Sequence, residues 1–175
     1  MIMKKKINIQ LKQITKSDLK LLVRWRNSKE IFQNNTQYFL LNSKIQKNWF
    51  NLLENDSSRK MFIISYNKIK IGICGLVDID SQNKHAKIAI IIGKINLHSK
   101  GLGTIALQNL LNYGFTKLNL HRIEAEVIEY NKTSMYFFKK SKFKTDAIYR
   151  DIVWRNNRWW NIYSMSLLKD NFNKI

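Results

Sequence analysis

The chain of 175 residues has no proline and a single cysteine, Cys74. One cysteine cannot close an internal disulfide. Cys74 sits in an apolar run with no histidine nearby in sequence, so it reads as a small core residue in a reducing compartment rather than a nucleophile. No segment reaches the ~18–20 apolar residues of a membrane span. The basic start, Met1 to Lys6, is followed by Gln10, Lys12, Gln13 and Lys16, which break any signal-peptide core. These absences predict a cytoplasmic protein with no membrane partner. Neither a Gly/Ser linker, an internal repeat nor an abrupt charge shift divides the chain, so one domain over 1–175 is expected.

Acidic residues are scarce, 12 against 31 Lys and Arg, which leaves a formal net charge of +19. Two readings stand side by side. Abundant Lys, Ile and Asn without Pro is the pattern an AT-rich genome imposes on ordinary proteins. A basic surface also attracts phosphate-bearing ligands or nucleic acid. The aromatics lie scattered through apolar runs and no DNA- or RNA-reading motif is present, so specific nucleic-acid binding is not expected. With 45% hydrophobic and 12% aromatic residues, a packed interior is expected instead.

Periodicity supplies the elements. Ile7, Ile9 and Leu11 alternate with polar residues as a one-sided strand. Thr15-Lys16-Ser17-Asp18 matches a capping box, and Leu19, Leu22 and Val23 then mark a helix face. A second helix is predicted over Ser43 to Leu53, buried through Ile45, Trp49, Leu52 and Leu53. Strands follow over Met61 to Tyr66, Lys70 to Ile79 and Ala86 to Ile92. The last of these is apolar on both faces, as a central strand covered on both sides would be. Gly101 to Leu118 reads as a long helix, His121 to Ile128 as a strand and Lys132 to Lys140 as a short helix. Strands over Ala147 to Trp154 and Trp159 to Leu168 close the chain. The order predicts a mixed α/β sheet with about four helices packed on it.

The informative segment is Ile88 to Thr104, IAIIIGKINLHSKGLGT. A buried strand passes through Lys100-Gly101-Leu102-Gly103 directly into a helix. Glycines there let backbone approach a ligand closely, and free N–H groups at a helix start suit phosphate. The loop is neither a GxGxxG fingerprint nor a P-loop.

Several segments together resemble the GNAT superfamily of N-acetyltransferases, within it the ribosomal-protein and amino-sugar enzymes. His98-Ser99-Lys100-Gly101-Leu102-Gly103 follows the family loop Q/R-x-x-G-x-G/A, with His98 in the Gln/Arg position. Leu118 to Val127, the spacing of Asn131 and Ser134, Trp25-Arg26-Asn27 and Tyr163 to Leu168 also fit. The resemblance implies a mostly antiparallel twisted sheet that splays into a central V holding acetyl-CoA. It implies that backbone of Ile90, Ile91 and Ile92 pairs with the pantetheine arm. His98, Ser99 and the N–H groups of Lys100, Gly101, Leu102, Gly103 and Thr104 would hold the pyrophosphate. Asn131 and Phe138 would flank the pantetheine.

The chain departs from the pattern where catalysis is expected. Counting from Asn131, the place of the family's proton-donating Tyr holds Phe138, with Tyr136 two residues earlier. Lys142-Phe143 replaces a Gly-Phe pair, and no carboxylate stands around Lys87 and Ile88. Glu126, with His85 behind it, is then the candidate base and Tyr136 the candidate acid. Trp25, Arg26 and Asn27 resemble an acceptor segment, in which Arg26 would fork onto a phosphate. Trp49, Trp159 and Trp160 read as packing residues rather than substrate platforms. The expected activity is acetyl transfer to a primary amine, with an amino-sugar nucleotide preferred and a protein N-terminus as alternative. No metal is expected; a homodimer is admitted. A nucleic-acid-binding module is the rival from another class.

Overall fold

The computed structural model describes residues 8–172. Ile7, placed in the first strand by alternation, lies outside them. Thirteen strands and α-helices follow in chain order among the described residues. They are β1 (Ile9–Gln13), α1 (Leu19–Asn27), α2 (Lys29–Phe32), α3 (Ser43–Leu53), β2 (Lys60–Tyr66), β3 (Ile69–Asp80) and β4 (His85–Ile92). Then come α4 (Leu102–Asn112), β5 (Arg122–Ile128), α5 (Lys132–Lys140), β6 (Lys144–Arg155), β7 (Arg158–Leu168) and α6 (Lys169–Phe172). No helix among the described residues is long and apolar enough to cross a membrane.

One seven-stranded sheet runs β1-β2-β3-β4-β5-β7-β6. Every neighbouring pair is antiparallel except β4 with β5. That parallel pair holds only at His85↔Arg122, Ala86↔Ile123 and Lys87↔Glu124. Beyond Lys87, β4 stays paired with β3 as far as Ile92, and β5 with β7 as far as Ile128. The two strands therefore part, and each turns an unpaired backbone edge to the gap. This fork is the splay the family resemblance implied.

Both faces of β4 are covered, as its doubly apolar pattern predicted. Ile88, Ile90 and Ile92 pack on the larger core, which includes Leu102, Ala106, Leu107 and Leu110 of α4. Ile91 packs on a smaller core with Leu22 and Trp25 of α1 and Trp49 and Leu53 of α3. Helix α3 has the predicted bounds but a different buried face. Gln46, Trp49, Phe50 and Leu53 turn inward, while Ile45 and Leu52 are exposed, Leu52 by 70%. The inward set follows i, i+3, i+4, i+7, the spacing of one helix face. Leu52 fits that face poorly despite its hydrophobicity. Helix α4 is shorter than predicted, because Tyr113–Lys117 form a π-helical turn that sinks Phe115 into the core.

The capping box forms. Asp18 accepts hydrogen bonds from the Thr15 N–H and hydroxyl, each at 2.8 Å, and from the Lys70 ammonium. It is 1% exposed. Burial alone would raise its carboxyl; the bonds from Lys70 and Thr15 overcome this and hold it below the ordinary range.

Candidate active site

The end of β4 leads into the glycine loop through three fixed points. Gly93 presses against the Trp25 indole, where an added Cβ would lie 2.1 Å from Cδ2. His98 Nε2–H donates to the Ile92 carbonyl at 2.7 Å, which ties the loop back to the strand. Ser99 (φ 59°) and Gly101 (φ 75°) then take left-handed backbone, and Gly101 caps α4. The first intrahelical bond is Ile105 N–H to Gly101 C=O at 3.3 Å. N–H groups of Leu102, Gly103 and Thr104 precede it and find no acceptor within the helix. A Cβ on Gly101 would meet nothing within 4 Å. The space before the loop is open, and the groups facing it are donors at the positive end of a helix.

The other wall of the fork carries charge. Glu124 and Glu126 lie on one face of β5, and Glu124 opposes Lys87 at the last paired position. Glu126, two residues on, is the first carboxylate of β5 inside the fork. Lys87 Nζ lies 2.9 Å from its Oε1 and 3.7 Å from Asp78. The bond to Glu126 lifts Lys87 above the usual lysine range against its partial desolvation.

Residues 33–41 form a strap across the open ends of the fork strands, fastened by side chains from three places in the fold. From α1, Asn27 binds both the N–H and the C=O of Leu41, at 2.9 and 2.7 Å, and Arg26 donates to the Gln37 carbonyl. From the turn after β5, Tyr130 donates to the Gln33 carbonyl and Asn131 to that of Asn34 at 3.4 Å. From β6, Arg155 donates to the carbonyls of Gln33 (3.1 Å) and Thr36 (3.2 Å) and to the Tyr130 hydroxyl (2.7 Å). Its guanidinium also lies 4.0 Å over the Tyr38 ring.

Comparison with known proteins agrees with this geometry. The family model described as "Acetyltransferase (GNAT) domain" matches residues 8–144. The chain belongs to the GNAT acetyltransferase family. An uncharacterised N-acetyltransferase, p20 of Bacillus licheniformis, is 37% identical over 117 residues, 67% of this chain and 65% of its own length. Spermidine N(1)-acetyltransferase of Escherichia coli K12 is 26% identical over 118 residues, 67% of this chain and 63% of that protein. The chain thus spans less than two thirds of the length of these two relatives. The crystal structure of spermidine N-acetyltransferase from Vibrio cholerae with CoA and spermine superposes with a TM-score of 0.87 at 21% identity, covering 94% of this chain and 98% of that one. Acetyltransferase PseH of Campylobacter jejuni is 26% identical over 139 residues, 77% of this chain and 84% of its own.

Within this GNAT fold, Ile90, Ile91, Ile92, His98, Ser99, Lys100, Gly101, Leu102, Gly103 and Thr104 lie along one continuous wall. Leu102 offers it backbone only, since its side chain is buried in the core. Other expected residues sit elsewhere. Tyr136 is 68% exposed and turns away from the core face of α5, with Lys140 Nζ 6.0 Å from its ring. Phe138 packs in the core against Phe137 and Phe143. Phe137 is the aromatic that reaches the loop, 3.6 Å from where a Gly103 Cβ would be. Asn131 spends its oxygen capping α5, accepting from Ser134 N–H at 3.1 Å, so the N-x-x-S spacing is first a helix cap. Trp25 is core, and both amide atoms of Asn27 are bonded to Leu41. His85 stands at the closed end of the fork, 3.6 Å from Asp80. Sequence reasoning missed Tyr130 and Arg155. Their strap contacts span 97 to 122 residues, and no local pattern marks such bonds.

Proposed function

We propose that the protein transfers an acetyl group from acetyl-CoA to a primary amine of a small molecule, in the cytoplasm. The observation that carries this reading is the unpaired edge of β4 running into a left-handed glycine turn with free helix-start N–H groups. A strand edge suits the amides of a pantetheine arm, and a helix start suits a pyrophosphate. Ile90 to Ile92 would hold the first, and Lys100 to Thr104 the second. When bound, acetyl-CoA supplies an acetyl group activated as a thioester. Glu126 takes the proton from the acceptor amine, directly or through one water, and Lys87 holds the carboxylate in place. Phe138 has no hydroxyl and Tyr136 faces solvent, so the proton returned to the leaving sulfur comes from water.

The spermidine-named relatives and the sugar reading diverge over the acceptor. Of Trp25-Arg26-Asn27, Trp25 packs in the core, Asn27 is bonded to Leu41 and Arg26 keeps an enclosed Nη1 without a partner, so the amino-sugar nucleotide reading rests on that guanidinium. Exposed Ile148, Tyr149, Ile152, Trp154 and Trp159 on the β6–β7 hairpin support self-association as a homodimer.

Calorimetric titration with acetyl-CoA tests the reading: micromolar-range binding with a raised Tm is expected, and a flat titration at saturating cofactor sinks it. In a thiol-release assay over amino sugars, N-terminal peptides and polyamines, Glu126→Gln should lower kcat about a hundredfold with acetyl-CoA affinity unchanged. An unchanged kcat would leave the base to water.

A further inference from the structure

Two arginines lie buried near the strap without a counter-ion. Arg26 is 7% exposed and Arg155 6%. Neither forms an ion pair with a carboxylate among the described residues. Enclosing a guanidinium without an anion is costly, and carbonyl oxygens offset only part of the cost. Desolvation, with Arg155 adding to it, pushes Arg26 below the ordinary arginine range. Its Nη1 is enclosed and has no acceptor at all. Arg155, near enough for its charge to act on Arg26, lines a cleft of about 180 Å³ with Gln33, Asn34, Tyr38, Tyr130 and Asn156, and Arg26 stands outside that lining.

Position ties this cleft to the fork. Trp25, next to Arg26, packs on Gly93 just past the end of β4. Tyr130 follows β5 by two residues, and Arg155 ends β6. We infer that this cleft binds an anionic group of the acceptor, phosphate or carboxylate, with Arg155 as the contacting fork and Arg26 as the second charge behind it. The inference rests on the acetyltransferase reading for what the ligand is, but not for whether the anion binds. Arg155 Nη2 donates to Thr36 only, which leaves it a further N–H for an oxygen of a planar or tetrahedral anion. Asn34 and Asn156 line the same cleft, the Asn34 amide already donating to the Glu30 carbonyl at 2.8 Å. A polyamine would bring like charge to two guanidiniums. Held here by its anion, an acceptor would reach with its amine toward the fork between β4 and β5.

The test uses the full chain with CoA saturating, so that the glycine loop is filled, and titrates inorganic phosphate at ionic strength held constant with chloride. Saturable binding is expected, weakened at least about tenfold in Arg155→Gln and in Arg26→Gln, with CoA affinity unchanged. Arg155→Lys should recover part of it, because a point charge lacks the fork. If the glutamine variants do not fold, Tyr130→Phe and Arg155→Lys carry the comparison, each expected to weaken phosphate binding while circular dichroism stays native. Turnover then separates the sources of anion. Glucosamine 6-phosphate represents phosphate, β-alanine carboxylate, and glucosamine and spermidine neither. KM should rise several-fold in Arg155→Lys for whichever anionic amine is used, with no change for glucosamine. Phosphate binding equal in wild type and every folded variant overturns the inference, as does spermidine being the best acceptor with indifference to Arg155→Lys. Failure of CoA to bind would instead remove the acetyltransferase reading, while the phosphate comparison would still stand by itself.

Discussion

The two sides of the fork are built by opposite means. The side formed by β4, the glycine loop and α4 presents backbone: an unpaired strand edge, a left-handed glycine at φ 75° and free helix-start N–H groups. The strap side presents long side chains reaching across the fold to carbonyls, from Arg26, Tyr130, Asn131 and Arg155. Backbone presentation needs only a few residue types at fixed spacing, and it suits a ligand shared by a whole family. Side-chain presentation is specific to one chain, and it suits a ligand that varies. Under the proposed function, cofactor affinity belongs to the first side and acceptor choice to the second.

The sharpest break in this comparison is Gly101→Val. A β-branched residue at φ 75° is strained and would fill the open space before the loop, yet its Cβ would meet no protein atom within 4 Å. CoA affinity should fall at least about a hundredfold, roughly 2.7 kcal/mol, in a protein still folded by circular dichroism. Unchanged calorimetric affinity would make the loop a plain turn.

Gly93→Ala probes the point where the two sides touch. Its methyl would meet the Trp25 ring at 2.1 to 2.5 Å, so indole or strand must shift. Overpacking of this kind costs about 2 kcal/mol, and a urea melt should show the loss. A variant as stable as wild type would mean that Trp25 is free to move.

Asp18→Asn, remote from both sides, should cost roughly 1.5 kcal/mol at pH 7 through lost bonds to Lys70 and Thr15. The folded carboxyl titrates below its unfolded value, ordinarily about 3.9. Its contribution is therefore complete above that unfolded value and is lost as pH falls through the lower folded one. Melts of the two proteins should draw together as pH falls from about 3.9 through the lower folded value; a gap that does not shrink at all over that fall would contradict the assignment.

The smallest effect is the most discriminating. Asn27→Ala frees the strap at Leu41 and should cost about 1 kcal/mol in stability. Acceptor KM should rise several-fold while CoA affinity holds. Equal change in both would dissolve the distinction between the sides.

Legibility in the sequence divides along the same line. Strand order in the chain, the bounds of α3 and α5, the glycine loop and its entry into α4 were all readable, because periodicity and turn chemistry act over a few residues. Helix α3 shows where that reading slips. Its end, Leu52-Leu53, is apolar twice over, and only packing against α1 decided that Leu53 turns inward and Leu52 outward. Phe137 and Phe138 are equally alike in sequence, yet one meets the loop and the other the core.

By itself the sequence determined a mixed sheet with covered faces on its central strand, and a phosphate-suited loop after it. Tertiary structure alone decided where β4 and β5 part, since three paired positions followed by divergence leave no mark in either strand. It alone enclosed Arg26 and Arg155 near one strap, one from the first helix and the other from the last hairpin. Local patterns report the backbone preferences of neighbours. Burial of a charge depends on which distant carbonyls the fold brings to it, and no short stretch of sequence records that.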